Sequence, residues 1–219
     1  MIPGPDQIVA CPHCNGLEKY RTLMSGNSIG SRIWTDGRQI APMLPRPPAV
    51  VECRSCAKPY WLTEAKEVGT MDSWSQKNPA VDPAWNEAPY VEEASEEGYH
   101  AALEATLRVE RALEKVLRTF VWWRGNDAYR EGASLEAGTA SAPSVAYHHN
   151  LAALASLLNG QNINERIMKA EALRELGEFE AATKILNKVQ SPQYAAVVQQ
   201  IQDLCDRADA RVRELGAEA

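Results

Sequence analysis

Four of the five cysteines fall into two pairs of the same form, Cys11-Pro12-His13-Cys14 and Cys53-Arg54-Ser55-Cys56. Two cysteines separated by two residues at a tight turn can aim both sulfurs at one point, and two such turns complete a tetrahedral shell of four thiolates. That donor set predicts one structural zinc ion held by Cys11, Cys14, Cys53 and Cys56, with iron the other metal that four thiolates suit. A closed shell leaves no position for water or substrate, so the clearest chemistry in the chain is that of holding a fold together.

Other reactive residue types lack a catalytic setting. Cys205 stands alone in a helical pattern, with Asp203 and Asp206 nearby rather than a base or cation, and reads as a small buried apolar residue. His13 lies inside the first knuckle, whose shell the cysteines already fill, and is expected to be exposed. His148 and His149 are adjacent at the start of a helix, where neighbours face different directions and cannot chelate one ion. The chain has no glycine-rich phosphate loop, nucleophile elbow or HExxH, so no enzyme is expected.

Two clusters are candidates for partner contacts. Trp34, Asp36 and Arg38 sit at a hairpin signal between the knuckles and can form an exposed tip. Trp123 and Arg124 belong to the run Trp122–Arg130, where aromatic and bidentate polar groups concentrate at a helix end; such residues often anchor interfaces. The bland reading of that run has the tryptophans packing a bundle while Asp127 caps the next helix.

Charge narrows the class of partner. The net charge of −6 is uneven: residues 1–70 carry +2, residues 71–100 carry −6 and residues 101–219 carry −2. Four thiolates on a divalent ion add about −2 to the first segment and bring it near neutral. Nucleic-acid binding through Arg32, Trp34, Arg38 and Arg46 is the alternative to protein or peptide binding, but the basic footprint that dominates affinity for phosphate is missing. No apolar run is long enough to cross a membrane, and Met1-Ile2-Pro3-Gly4-Pro5-Asp6 is not a secretory signal. The expected location is the cytoplasm.

The elements that position these residues divide into three segments. Residues 1–69 read as antiparallel β-structure around the metal: Ser31–Trp34 and Gln39–Ile40 flank Asp36-Gly37, Ala49–Glu52 leads into the second knuckle, and Tyr60–Leu62 extends a further strand. Thr63–Glu67 can make one helical turn. Residues 70–95 form an acidic connector with Pro79, Pro83 and Pro89, and Trp74 and Trp85 predict an ordered strap running between the halves. Residues 96–219 turn helical, with one long helix ending near Gly125, a loop over 132–143, and helices near 144–158, 162–176, 178–189 and 192–215.

Two resemblances follow from these motifs. The segment Ala170–Leu186 resembles the turn and flanking helices of one tetratricopeptide repeat, with Gly177 ending the first helix, Phe179 in the aromatic position and Ala182 in the small one. No second copy follows at the family's period, so a bundle with one such hairpin is expected rather than an array. Residues 8–62 resemble the zinc ribbons of many uncharacterised bacterial proteins, on the four cysteines and the hairpin between them; Asn15 and Ala57 stand where such knuckles often carry glycine. Rubredoxin-like electron-transfer proteins share the paired knuckles and are a further, less favoured reading. The sequence therefore predicts an α+β protein in which a small zinc ribbon precedes an α-helical bundle, and a non-enzymatic adaptor that binds protein or peptide.

Overall fold

The computed structural model of the protein describes residues 1–72, 82–107, 111–130 and 144–216. Trp74, Pro79 and the loop expected over 132–143 lie outside the described residues. The fold is α+β, and the chain forms two compact units. Met1–Ser31 with Ala41–Ala105 makes the first, and Arg32–Ile40 with Thr106–Ala219 the second. The Arg32–Ile40 hairpin, expected within the ribbon from its place in the chain, is part of the helical unit.

The first unit starts with two nine-residue strands, β1 (Ile2–Ala10) and β2 (Leu17–Ser25), which pair antiparallel across the first knuckle. Neither strand is among those expected from the sequence, and β1 carries Pro3 and Pro5. They are tolerated because only Asp6–Ala10 of β1 has a second neighbour, so both prolines lie where β1 is an edge, and register shifts on either side of Pro3 absorb them. Strands β3 (Arg32–Ile33) and β4 (Gln39–Ile40) belong to the second unit. β5 (Val50–Glu52) and β6 (Pro59–Trp61) pair antiparallel across the second knuckle. A single 3-10 turn at Leu62–Glu64 follows, and the residues beyond it extend into β7 (Lys66–Met71) rather than continue as helix. β7 completes a sheet of order β2-β1-β7.

The described part of the connector is ordered against this unit. A short helix, α1 (Pro83–Glu87), is capped by Asp82, whose carboxylate accepts from the Ala84 N–H, and its Trp85 lies so close over Gly69 that a Cβ there would run into the indole. The chain then runs beside β2, where the Lys19 N–H donates to the Pro89 carbonyl and the Val91 N–H to the Lys19 carbonyl, each at 2.9 Å. It next crosses to β5, with Ala94 N–H donating to the Val50 carbonyl at 3.1 Å. The strap therefore joins β2 to β5. Helix α2 (Glu96–Leu107) follows, anchored by buried Tyr99, whose hydroxyl donates to Glu93 at 2.9 Å.

In the second unit, α3 (Arg111–Gly125) and α4 (Asp127–Arg130) precede α5 (Val145–Leu157), α6 (Ile163–Glu175), α7 (Phe179–Leu186) and α8 (Ala195–Asp206). The expected long helix is described as α2 and α3, with residues 108–110 outside the described set. Packing is sequential: α3 lies on α5, α5 on α6, α6 on α7 and α7 on α8. One apolar cluster joins Trp122, Leu151, Leu154 and Ala172; a second joins Ile167, Ala170, Ala182, Leu186 and Ile201. Helix α6 contributes to both, so two of its faces are buried and its small residues Ala170 and Ala172 admit close neighbours.

The α6–α7 turn shows why its sequence resembles a repeat hairpin. Gly177 takes φ +81°, the Glu178 N–H donates to the Leu173 carbonyl at 2.8 Å, and the Gly177 N–H donates to the Arg174 carbonyl at 2.9 Å. Those two bonds are a Schellman stop, which requires the left-handed conformation that glycine adopts without a Cβ penalty. The same stop ends α8 at Ala208, φ +51°, with the Asp209 N–H donating to the Leu204 carbonyl at 3.0 Å. The helix expected to reach Leu215 therefore ends at Asp206, and the tail runs extended beside β3. Thr35 N–H donates to the Arg213 carbonyl and Leu215 N–H to the Ile33 carbonyl, each at 2.8 Å.

Candidate metal centre

Both knuckles are hairpin loops built on one plan. In the first, Cys11 N–H donates to the Gly16 carbonyl and Asn15 N–H to the Cys11 carbonyl, each at 2.9 Å. In the second, Cys53 N–H donates to the Lys58 carbonyl at 3.1 Å and Ala57 N–H to the Cys53 carbonyl at 2.8 Å. Each turn needs a left-handed residue just after its second cysteine. Asn15 takes φ 59° and Ala57 φ 56°, so the positions usually held by glycine keep the glycine conformation without the residue.

The four sulfurs converge. All four ligand atoms lie within 4.8 Å of one another, with Cys14 Sγ 3.6 Å from Cys53 Sγ and Cys11 Sγ 4.0 Å from Cys56 Sγ. A tetrahedral ion with metal–sulfur bonds of about 2.3 Å requires sulfur separations of roughly 3.8 Å. A disulfide needs about 2 Å. The donor set and spacing thus fit one metal ion, and the residues that would hold it are Cys11, Cys14, Cys53 and Cys56.

A layer of donors surrounds the sulfurs. His13 N–H points at Cys11 Sγ, Gly16 N–H at Cys14 Sγ and Ser55 N–H at Cys53 Sγ, each at 3.4 Å, the arrangement that stabilises thiolate charge. Gly16 also lets the knuckles nest, since a Cβ there would stand 2.5 Å from Ser55 Oγ. Burial pushes the Cys11 thiol up to about 12. Glu18, fully buried, ties the halves together: one oxygen accepts from the Arg54 N–H at 3.1 Å and the other from the Tyr60 hydroxyl at 2.8 Å. Burial, then that hydrogen bond, raises the Tyr60 pKa. His13 is exposed, with Nε2 3.2 Å from the Pro59 carbonyl oxygen.

The chain matches no protein-family model, no curated protein and no solved structure. What the site can do is therefore argued from its own geometry.

The partner-binding candidates form no exposed tip. The hairpin exists where Asp36-Gly37 predicted it, with Ile33 opposite Gln39, but Trp34, Thr35 and Asp36 are buried in the helical unit. Trp34 is 6% exposed and flanked by the guanidiniums of Arg32 and Arg130 at 4.9 and 5.7 Å from its ring. Asp36 is fully buried: its carboxylate pairs with Arg130 and accepts from Asn126 Nδ2 at 3.0 Å, and its carbonyl accepts from Trp123 Nε1 at 3.0 Å. Arg38 donates to Asp127 at 2.6 Å and Arg124 to the other oxygen of Asp127 at 3.1 Å. Asp127 is thus less a cap than a hub for guanidiniums. Arg32 pairs with Glu214 at 2.5 Å, so of the four residues considered for nucleic acid only Arg46 lies outside these internal contacts.

Sequence reasoning missed the rest of this buried network. Glu175 accepts from Trp122 Nε1 at 2.7 Å, from Asn126 Nδ2 at 3.1 Å and from the Tyr147 hydroxyl at 2.5 Å. Burial, then the nearby charge of Glu171, raises its carboxyl to about 7, while burial lowers Arg130 to about 10. On the same helix Arg174 forks onto Glu171 at 2.6 and 2.8 Å and holds the backbone carbonyls of Asp209 and Arg211. The nearest signal was the polar richness of Trp122–Arg130. Arg124 and Arg130 meet Asp127 within the run, but Asp36, Tyr147 and Glu175 lie outside it, far along the chain.

Proposed function

We propose that this protein is a non-enzymatic binding protein in which one structural zinc ion, held by Cys11, Cys14, Cys53 and Cys56, folds the first unit so that it can contact a protein or peptide. The observation that carries this reading is the convergence of the four sulfurs within 4.8 Å. Four thiolates saturate a tetrahedral ion and leave no site at which it could activate water or substrate. Zinc held in this way acts through folding free energy, on the order of 10 kcal/mol. The apolar cluster at the site comprises Cys11, Val51, Cys53 and Tyr60 with a few partly buried neighbours, and two of these four are themselves ligands, so the packing around the knuckles depends on the ion. The burial of Trp34 and the pairing of Arg32 with Glu214 and of Arg38 with Asp127 occupy three of the four residues on which nucleic-acid binding was considered.

Stripping the metal with a competing chelator while following amide exchange tests this reading. Protection should collapse in β1, β2 and β5–β7 and persist in α5–α8. Undiminished protection of those strands in metal-free protein would overturn it, as would a cobalt-substituted site whose visible spectrum shows an exchangeable water ligand.

A further inference from the structure

A groove of about 740 Å³ opens in the first unit, lined by Tyr20, Arg21 and Leu23 of β2, by Arg46 and Pro47 of the following loop, and by Tyr90 of the strap. Residues of β1 border it as well: buried Asp6, opposite Arg21 in the register, accepts from the Tyr90 hydroxyl at 2.8 Å, so its carboxylate is already engaged. Tyr90 pairs with Lys19 on the side of β2 away from β1, so the groove reaches that outer edge. That edge already carries one partner: Lys19 directs both its N–H and its C=O outward to the strap, in parallel pairing with Tyr90.

Alternation along a strand sends the N–H and C=O of Arg21 the same way. The strap has left by then, since Ala94 bonds to Val50 and Glu52 bonds to Glu92. The pairing surface thus runs on past the end of its occupant and into the groove. Arg21 lies over the Tyr90 ring at 4.8 Å, and among the described residues neither Arg21 nor Arg46 is in an ion pair with a carboxylate. Pro45, Pro47 and Pro48 form an apolar far wall that offers no competing N–H.

We infer that this groove receives an extended peptide bearing carboxylates, which adds as a strand along β2 beyond Lys19 and places its acidic side chains on Arg21 and Arg46. Backbone pairing provides affinity and the two guanidiniums select the charge, the division of labour in strand addition. The inference rests on the binding role proposed above and supplies its surface and its partner class.

The test uses the full zinc-loaded chain and a fluorescein-labelled peptide of alternating glutamate and valine. Arg46 is exposed, so Arg46→Glu leaves the fold intact; it should weaken binding about tenfold or more. Peptide should also slow exchange of the Arg21 amide in the parent protein. No binding, equal binding of a lysine–valine peptide, tighter binding of oligothymidylate, or an Arg21 amide that exchanges unchanged would each overturn the inference. If these fail while the protein holds one zinc ion and loses its β-unit on chelation, the groove assignment alone falls; if zinc is absent as well, the reading beneath it falls too.

Discussion

Asp36 and Arg130, 94 residues apart in sequence, form a salt bridge from which solvent is almost wholly excluded, the side chains being 0% and 2% exposed. The pair joins a hairpin encoded between the two metal knuckles to the end of a helical segment encoded far downstream. Removing Asp36 leaves Arg130 with one carboxylate, Asp127 at 2.9 Å, so the loss falls at the lower end of the range of about 3–5 kcal/mol that breaking a buried pair costs. Asp36→Ala should therefore lower the urea stability of the helical unit by that amount, with zinc content unchanged. Asp36→Leu combined with Arg130→Met should recover much of the loss. A double variant as unstable as the sum of the singles would show that the two charges are not coupled.

Trp34 lies in the same interface and is 6% exposed. Truncation to alanine should cost about 3 kcal/mol or more by leaving a cavity between Arg32 and Arg130. A thermal melt that moves by less than a degree would place the indole outside the packed interior.

Glu175 gives the helical unit a pH dependence of unusual sign. Its folded carboxyl is raised to about 7 by burial and by Glu171, above the ordinary value of 4.5, so the folded state binds a proton more tightly than the unfolded state. The contribution is fully present below about pH 4.5 and is lost as pH rises through 7, so stability falls between these values by on the order of 1–3 kcal/mol. Denaturant midpoints from pH 5 to pH 8 should decline in the parent protein and stay level in Glu175→Gln. A midpoint that climbs over this window would contradict the assignment.

Ala57 pays the left-handed penalty at the second knuckle with φ 56°. Glycine removes roughly 1–2 kcal/mol of strain and returns part of it through the more flexible unfolded chain. Ala57→Gly should therefore tighten zinc retention against a chelator by about threefold, whereas Gly16→Ala, which drives a methyl into Ser55, should loosen it. The reverse order would mean that the knuckles do not nest as described.

Features whose cause is local in sequence were readable in advance. The paired cysteines, the Asp36-Gly37 turn and the Gly177, Phe179 and Ala182 positions each carry their reason within a few residues. Three kinds of feature were not. Strand β1 hides behind Pro3 and Pro5, which are harmless only because that stretch lacks a neighbour on one side. The end of α8 falls at Ala208, a good helix former held left-handed by a Schellman stop. The destination of the 32–40 hairpin depends on Arg130, Asn126 and the tail at Arg213, none of which any local pattern links to it.

Metal analysis of the purified full chain tests the four-cysteine centre most directly. Colourless protein with one zinc ion per chain is expected, and Cys53→Ser should retain less than about a tenth of that metal while α5–α8 keep their helical signal. Protein that purifies red with iron, that carries no metal, or that keeps its full zinc content after Cys53→Ser would contradict a structural zinc site at Cys11, Cys14, Cys53 and Cys56.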